Sequence, residues 1–291
     1  MTSGVGERAA ELAARRVPFV HARVVLAERP TSARPGDEAL VLADGTMEGF
    51  VGGDCAEATV RAQALAVLDS GEPVVLRISA ADEPPQPGKV MAHNPCLSGG
   101  TLEIYLEPRH PPPRMAVVGD GPIARALRGI AQTVGFEVVD ADAAELAALV
   151  VASHGQNEAA ALGAGLQAGI DYVGLVASPK RGASVVATLD VGGAERIVTP
   201  AGLDIGARTP EEVALSICAD VIARRPRPSG RPAAAATSPP SGEIAIDPVC
   251  GMHVAAVESS LHLDHDGRRY RFCGSGCLRA FAAEPERYPS P

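Results

Sequence analysis

The sequence predicts an α/β protein with an N-terminal α+β domain, a doubly wound parallel-sheet domain and a small C-terminal metal-binding module. Strand-like and helix-like segments alternate between residues 114 and 225, as in parallel sheets that are covered by helices. A glycine-rich turn links the first of these strands to a helix. Three of the six cysteines fall in the last segment, 243–291, which is too short for much of a core and therefore predicts a metal.

The composition excludes several classes of function. The chain has 291 residues and a formal net charge of -9, so it lacks the excess of positive charge that binds nucleic acid or an anionic membrane. No apolar segment approaches the roughly 20 residues that span a bilayer, and the N-terminus has the pattern of a soluble helix rather than a signal peptide. We therefore expect a cytoplasmic protein whose cysteines are metal ligands, reactive thiols or core residues rather than disulfides.

Residues 1–110 form the first predicted domain. An initial helix precedes strand-like segments, and Asp44 and Gly45 are suited to a hairpin turn between two of them. An amphipathic helix follows and ends at Gly71, which is a suitable C-cap. Residues 80–100 are predicted to be a long loop between two later strands, and long loops inside compact domains are often functional.

The second predicted domain, 114–225, begins with a strand, a glycine turn and a helix. Gly119 permits the tight turn, Gly121 lets the backbone approach a pyrophosphate, and Ala124 permits close packing of the helix. Asp140 ends the next strand, where it would accept a hydrogen bond from a ribose hydroxyl. This context predicts a Rossmann-like domain with a nucleotide site. The alternative is a Rossmann-like scaffold whose site is empty or repurposed.

Further candidates follow the later strands of this domain, where open α/β sheets bind ligands. His154 ends one strand, and Ser178, Lys180 and Arg181 follow the next. The serine and the two basic residues would suit an anionic ligand. A lone histidine at a strand end is equally consistent with a structural role, and no acid–base pair beyond His154 is evident.

A Pro-, Ala- and Ser-rich segment, 226–242, is predicted to be a flexible linker to the last domain, 243–291. In that domain Cys273 and Cys277 have C-x3-C spacing, which places two thiolates one helical turn apart. Together with Cys250 and a fourth ligand they would suit Zn²⁺ or another thiophilic metal. Spacing leaves the fourth ligand open among His253, His262 and His265. The alternative is three unrelated thiols.

Two other cysteines are candidate ligands in the first domain. Cys55 falls at the start of the predicted helix, where the helix dipole would stabilise a thiolate, although Asp54 and Glu57 oppose this. Cys96 lies in the long loop. If the two segments converge, both thiols could bind a soft metal or a sulfur-rich ligand. The alternative is that both are small core or loop residues, as we expect for Cys218 in a later helix.

The C-terminal cysteines lie in three short motifs, DPVCGM, YRFCGSGCLRAF and PERY. These motifs closely resemble the YHS domain, a small metal-associated module related to TRASH zinc-finger-like domains, over about residues 245 to 289. The resemblance implies metal binding by Cys250, Cys273 and Cys277 but not the identity of the metal, which we expect to be zinc or copper.

A second resemblance covers about residues 10 to 222. The segments that carry it are GFVGGDCAEATVRAQALAVLDSGEPVVLRIS, HNPCLSGGTLEIYLEP, RMAVVGDGPIARALRGIAQTVGFEVVDAD, VVASHGQNEAAAL and DYVGLVASPKRGASV. They resemble the XdhC/CoxI family, accessory proteins for molybdenum hydroxylases such as xanthine dehydrogenase and aerobic carbon monoxide dehydrogenase. The segment PCLSGGTLEI is more similar to the carbon monoxide dehydrogenase branch.

The chain departs from the family pattern at two places. The family usually has Ser-Gly-Gly before its first cysteine and Val-Glu after it, whereas residues 52–54 are Gly-Gly-Asp and residues 56–57 are Ala-Glu. The last strand end usually has Gly-Ser and several basic residues, of which residues 177–181 keep the serine and two basic residues.

The resemblance implies a cofactor chaperone without its own turnover. It would bind molybdenum cofactor, as molybdopterin or its dinucleotide form, support its sulfuration and insert it into the apo hydroxylase. A thiol of Cys55 or Cys96 would contact the molybdenum or dithiolene end. The remaining candidate cofactor-binding residues are Gly119, Gly121, Asp140, His154, Ser178, Lys180 and Arg181.

The implied partners are an apo molybdenum hydroxylase, a cysteine desulfurase or another sulfur donor, and a second copy of the chain in a homodimer. Two alternatives stay open. An NAD(P)-dependent oxidoreductase would explain the glycine turn and Asp140, but not the cysteine motifs. A metal-sensing or metal-delivery protein would act through the YHS-like segment.

Overall fold

The fold is described from a computed structural model. The described residues are 3–81, 83–94, 100–153, 155–225 and 244–288. The chain divides into two compact units, of which the first combines Met1–Pro111 with Pro228–Pro291 and the second is Pro112–Arg227. Cys96, His154 and the predicted linker 226–242 lie outside the described residues. Within the described part of the chain, every helix is too short or too polar to cross a bilayer.

The first unit is built on a six-stranded sheet. Its strands are β1 (Phe19–Glu28), β2 (Glu38–Leu42), β3 (Met47–Gly49), β4 (Val74–Ser79), β5 (Lys89–His93) and β6 (Thr101–Arg109). Its helices are α1 (Ser3–Ala14) and α2 (Asp54–Ser70). The strand order is β3-β2-β1-β6-β4-β5, in which β4 and β5 pair in parallel and the other neighbours are antiparallel.

Helix α2 covers this sheet with small side chains. Its residues Val60, Ala64 and Val67 are buried in one core with the inward-facing residues of the strands. The helix ends as the sequence predicts, because Gly71 adopts φ 69° and its N–H bonds to the carbonyl of Val67. Because these side chains are small, α2 packs close to the sheet, and its first turn, which contains Cys55, lies near the strands.

Two details of the strands can be compared with the sequence. The hairpin turn at Asp44 and Gly45 is confirmed, since β2 and β3 pair antiparallel and Gly45 has φ 79°. The prediction of an uninterrupted loop over 80–100 is wrong. Strand β5 lies inside it and pairs with β4, from Val75 opposite Lys89 to Ser79 opposite His93.

The second unit is a Rossmann-like parallel sheet, which confirms the predicted fold class. Its strands are β7 (Arg114–Val118), β8 (Glu137–Val139), β9 (Leu146–Val151) and β10 (Tyr172–Leu175), in the order β10-β9-β7-β8. Its helices are α3 (Pro122–Thr133), α4 (Glu158–Gln167), α5 (Pro179–Val186) and α6 (Pro210–Arg224). After β8 the chain crosses back over β7 to form β9, so the topological switch point lies between β7 and β9.

Both faces of this sheet are buried. Successive residues of β9 point to opposite faces, so Ala148 and Val150 join one core while Leu149 and Val151 join the other. Helices α3 and α6 cover the first face, and α4 and α5 cover the second. This explains why the strands of the unit are continuous apolar segments in the sequence.

A buried polar contact ties α6 to β10. The hydroxyl of Tyr172 donates to Oδ2 of Asp220 at 2.9 Å, and Nε of Arg224 donates to Oδ1 at 2.7 Å. Both Tyr172 and Asp220 are almost fully buried. Burial, and next the charge of Asp220, raise the pKa of Tyr172 well above its usual range.

We expect Tyr172→Phe to lower the free energy of unfolding by about 1–3 kcal/mol, because Asp220 loses a buried hydrogen-bond donor. The pKa is higher in the folded chain, so the stability that the phenol contributes declines as pH rises above its ordinary value of about 10. Chemical unfolding of both proteins at several pH values measures this, and the decline should be shallower in Tyr172→Phe. Tyr105→Phe, at a half-buried position of β6, is the control. Equal losses in the two variants would contradict the role of Asp220.

The C-terminal part of the first unit is small and aromatic. It contains β11 (Ile244–Ile246), β12 (His253–Ala255), β13 (His262–His265), β14 (Arg268–Arg271) and α7 (Ser275–Ala283). The strands form two antiparallel pairs, β11 with β12 and β13 with β14. Phe281 packs against the rings of Phe272, Tyr270 and Tyr288. We call residues 244–288 the C-terminal module.

Candidate functional site

The three cysteines of the C-terminal module converge. Cys250 follows β11, Cys273 follows β14, and Cys277 lies in the first turn of α7. The Sγ atoms of Cys250 and Cys273 are 3.5 Å apart, and those of Cys273 and Cys277 are 3.6 Å apart. Sulfurs bound to one tetrahedral zinc ion at 2.3 Å stand about 3.8 Å apart. The three thiols therefore fit a single thiophilic metal ion, and we call them the thiol cluster.

Asp247 is the fourth residue of this group, and it is not among the ligands predicted from the sequence. One of its carboxylate oxygens lies within 4.8 Å of each of the three sulfurs. It is fully buried, and its oxygens accept hydrogen bonds from the backbone N–H groups of Val249 and Cys273, both at 2.8 Å. Asp247 thus fixes the two segments that carry Cys250 and Cys273. The sequence signal that could have identified Asp247 is its position three residues before Cys250.

The histidines that the sequence left open as fourth ligand lie outside this group. Nδ1 of His262 is 2.9 Å from the carbonyl oxygen of Ser260. Nε2 of His265 lies 3.6 Å from Asp266, and its ring meets the edge of Phe281. His253 is exposed at the start of β12. Among the described residues, the ligand atoms close enough to share one ion are those of Asp247 and the thiol cluster.

The thiols differ in how readily each loses its proton. A hydrogen bond from the Cys273 thiol lowers the pKa of Cys250 to about 7. The same interaction, followed by burial, raises the pKa of Cys273, and burial is the main cause of the raised pKa of Cys277. Cys250 is therefore the first thiolate available to a metal ion. A bound cation would in turn favour deprotonation of the other two.

Cys55 lies in the first turn of α2, as the sequence predicts, and its backbone is hydrogen-bonded to the residue that follows β5. Its carbonyl accepts a hydrogen bond from Nδ2 of Asn94 at 2.9 Å and from Oγ1 of Thr59 at 3.1 Å. Asn94 is fully buried. Cys96 follows Asn94 by two positions in the sequence.

Cys55 also packs with the thiol cluster, although the sequence predicted two separate sites. Its half-buried side chain joins a small apolar group. The buried members are Ala58, Met252, Val254 and Cys273, and the partly buried ones are Cys55, Cys250 and Cys277. The structure therefore brings four of the six cysteines to one region.

The glycine turn of the second unit lies at the topological switch point. Gly119 has φ 116°, and a Cβ there would stand 2.3 Å from the carbonyl oxygen of Ala152 at the end of β9. Gly121 caps α3, and Pro122 is its first residue. Nη2 of Arg128, which was not among the predicted site residues, donates to the carbonyls of Val117 and Gly119 at 2.8 and 2.7 Å.

The other predicted residues of this unit lie at strand ends. Asp140 is exposed directly after β8. Ser178 caps α5 by accepting a hydrogen bond from the Arg181 N–H, and Lys180 is exposed in the first turn. The Arg181 guanidinium forms an ion pair with Glu158, which is almost fully buried. An anion bound here would share Arg181 with Glu158.

Together, the fold and sites define a chain that combines a thiol-bearing α+β domain, a Rossmann domain and a small module with a thiol cluster. Three family matches agree with this arrangement. Residues 12–79 match the XdhC and CoxI family, residues 115–221 match the XdhC Rossmann domain, and residues 245–291 match the YHS domain. The chain belongs to the XdhC and CoxI family and carries a C-terminal YHS domain.

Two similar proteins extend the comparison. The uncharacterized protein YqeB of Escherichia coli K12 is 26% identical over 250 residues, which cover 74% of this chain and 45% of YqeB. The chain therefore spans less than half the length of that relative. A Bacillus halodurans crystal structure, described as a xanthine dehydrogenase, is 19% identical with a TM-score of 0.37, covering 77% of this chain and 97% of that one.

Proposed function

We propose that this chain is a molybdenum cofactor chaperone. It would bind the cofactor, support its sulfuration and insert it into an apo hydroxylase of the xanthine dehydrogenase or carbon monoxide dehydrogenase type. Membership in the XdhC and CoxI family supports an accessory role for molybdenum hydroxylases. On this proposal the protein works in the cytoplasm as a homodimer, and its other partner is a cysteine desulfurase or another sulfur donor.

The observation that carries the proposal is the fixed position of Cys55. Hydrogen bonds from Asn94 and Thr59 hold its carbonyl in the first turn of α2, so the backbone that carries the thiol is fixed next to the end of β5. A soft thiolate is a suitable ligand for the molybdenum end of the cofactor. The bound cofactor would supply the molybdenum and dithiolene chemistry, and this chain would supply the thiol, its orientation and the phosphate site.

The Rossmann unit would hold the phosphate or nucleotide part of the cofactor. Gly119 and Gly121 bring bare backbone to the start of α3 at the switch point between β7 and β9. Backbone N–H groups at a helix N-terminus favour phosphate binding. Asp140, His154, Ser178, Lys180 and Arg181 remain the proposed additional contacts. Because Arg181 is already paired with Glu158, Lys180 would be the more available cation.

The thiol cluster would bind zinc or copper in the C-terminal module. Its sulfur spacing fits a tetrahedral thiolate site, and thiolates favour both ions. Metal binding by these three thiols is a separate proposal, because none of the three is a proposed ligand of the molybdenum cofactor. It also keeps open a metal-delivery role for the module.

Bound pterin tests the chaperone proposal. The full chain is purified from cells that make molybdenum cofactor, and pterin is measured by fluorescence after oxidation. We expect wild type to retain pterin and Cys55→Ala to retain at least about tenfold less, because a ligand of the cofactor is lost. Cys218→Ala, which removes a buried thiol of α6, should retain the wild-type amount.

Two results would contradict the proposal. Wild type could bind NADH tightly and carry no pterin, which would favour the NAD(P)-dependent oxidoreductase that the glycine turn and Asp140 also suit. Alternatively, pterin could be retained equally by wild type and by Cys55→Ala, which would remove Cys55 from the site.

A further inference from the structure

The C-terminal module contacts the first domain at the end of α2 that carries Cys55. Oδ2 of Asp54 accepts hydrogen bonds from the side-chain hydroxyl of Ser275 at 2.9 Å and from its backbone N–H at 3.3 Å. Ser275 begins α7, so the carboxylate lies at the positive end of that helix. A second bond, from the Ser259 hydroxyl to the carbonyl of Asp44, lies at the hairpin turn between β2 and β3.

The module approaches the first domain closely at both contacts. A Cβ on Gly45 would stand 2.7 Å from Cγ2 of Val257 in the module. A Cβ on Gly274 would stand 3.2 Å from Cβ of Asp54 and 3.6 Å from Sγ of Cys55. The absence of a side chain at Gly45 and at Gly274 therefore permits the two surfaces to pack as closely as residues in a protein interior.

Gly274 lies between two residues of the thiol cluster in sequence, with Cys273 before it and Cys277 in the next turn of α7. The sulfur of Cys55 is within van der Waals distance of the position that a side chain at 274 would occupy. Cys55 and the thiol cluster also share one apolar group. In the structure Sγ of Cys55 lies outside the group of ligand atoms that are within 4.8 Å of one another, so binding the same ion would require rotation about its Cα–Cβ bond.

We propose that Cys55 is the fourth thiolate ligand of the metal ion held by the thiol cluster. The metal centre is then shared between α2 and the C-terminal module, and the contact at Asp54 positions Cys55 for it. This inference rests on the proposed metal binding by the C-terminal module and adds a ligand from outside it. A sulfur bound to this ion does not also bind molybdenum, so Cys55 would hold the ion in the cofactor-free chain and leave it when the cofactor binds. Each thiol loses its proton to solvent as its sulfur binds the ion, and the metal keeps its oxidation state.

The alternative fourth ligand is Asp247, and its contacts favour a structural role. Both of its oxygens already accept backbone N–H bonds that hold the segments of Cys250 and Cys273. Soft thiophilic ions prefer sulfur to carboxylate oxygen. A fourth thiolate from Cys55 leaves those hydrogen bonds intact.

Cobalt substitution tests the shared centre on the full chain. Co²⁺ replaces Zn²⁺, and its sulfur-to-cobalt charge-transfer absorption grows with the number of bound thiolates. We expect one Co²⁺ per chain in wild type and in Cys55→Ala, with absorption per ion about one quarter lower in the variant because four thiolates become three. Cys218→Ala is the matched control and should equal wild type. Cys55→Ser, which keeps the side-chain volume, gives the same readout if Cys55→Ala folds poorly.

The outcomes separate the two proposals. One Co²⁺ per chain with the same absorption in wild type, Cys55→Ala and Cys55→Ser would overturn the shared centre and leave metal binding by the thiol cluster standing. No Co²⁺ and no Zn²⁺ bound by wild type would overturn both. The reduction by about one quarter, confined to the Cys55 variants, supports the shared centre.

Discussion

Replacing Cys273 by alanine is expected to abolish metal binding by the C-terminal module and to unfold that module. Cys273 is the central thiol, since its sulfur lies 3.5 Å from that of Cys250 and 3.6 Å from that of Cys277. The module has few fully buried large side chains besides Phe272 and Phe281. In small modules of this kind a structural zinc ion contributes an apparent free energy of about 10–16 kcal/mol, far more than the remaining core supplies.

Hydrogen exchange and metal analysis together measure this result. Amide protection over residues 244–288 should fall to nearly none in Cys273→Ala, and bound zinc should fall below about one tenth of the wild-type amount. Cys218→Ala removes an equally buried thiol from α6, and we expect it to cost about 1 kcal/mol and to keep the metal. Unchanged zinc content and protection in Cys273→Ala would show that the module folds without a thiolate site.

The Rossmann unit was predictable because its signals are local. The glycine turn stands between a strand and a helix in the sequence, and apolar strands alternate with helices. The six-stranded sheet was harder to predict, since β1 pairs with β6 across a long stretch of sequence and β5 has only five residues. A strand that short, next to several prolines, gives too weak a period to distinguish it from loop.

The thiol cluster was predictable in part for the same reason. Cys273 and Cys277 are four residues apart, so the start of one helix brings them together. Their closeness to Cys55 depends on packing between distant segments, as the Asp54–Ser275 bond spans 221 positions. Asp54 was nevertheless a visible signal. It departs from the family pattern beside Cys55, and the structure gives it a specific contact with the module.

Replacing Gly119 by alanine is expected to destabilise the second unit and to disrupt the phosphate site that we propose for it. A side chain at φ 116° is strained, and its Cβ would stand 2.3 Å from the carbonyl oxygen and 2.6 Å from the carbonyl carbon of Ala152. Both are backbone atoms at the end of β9, so neither can rotate away. Strain and overlap together should lower the free energy of unfolding by about 3–5 kcal/mol.

Gly129→Ala is a matched control within the same strand–helix segment. Gly129 lies inside α3, and a Cβ there would meet nothing within 4 Å, so alanine should stabilise the helix by about 0.5–1 kcal/mol. Hydrogen exchange over β7 and β9 measures the stabilities, and bound pterin measures the site. We expect Gly119→Ala to lose both and Gly129→Ala to keep both. Equal protection in the two variants would show that the end of β9 accommodates a side chain at position 119. Equal pterin retention would show that the ligand does not require the glycine.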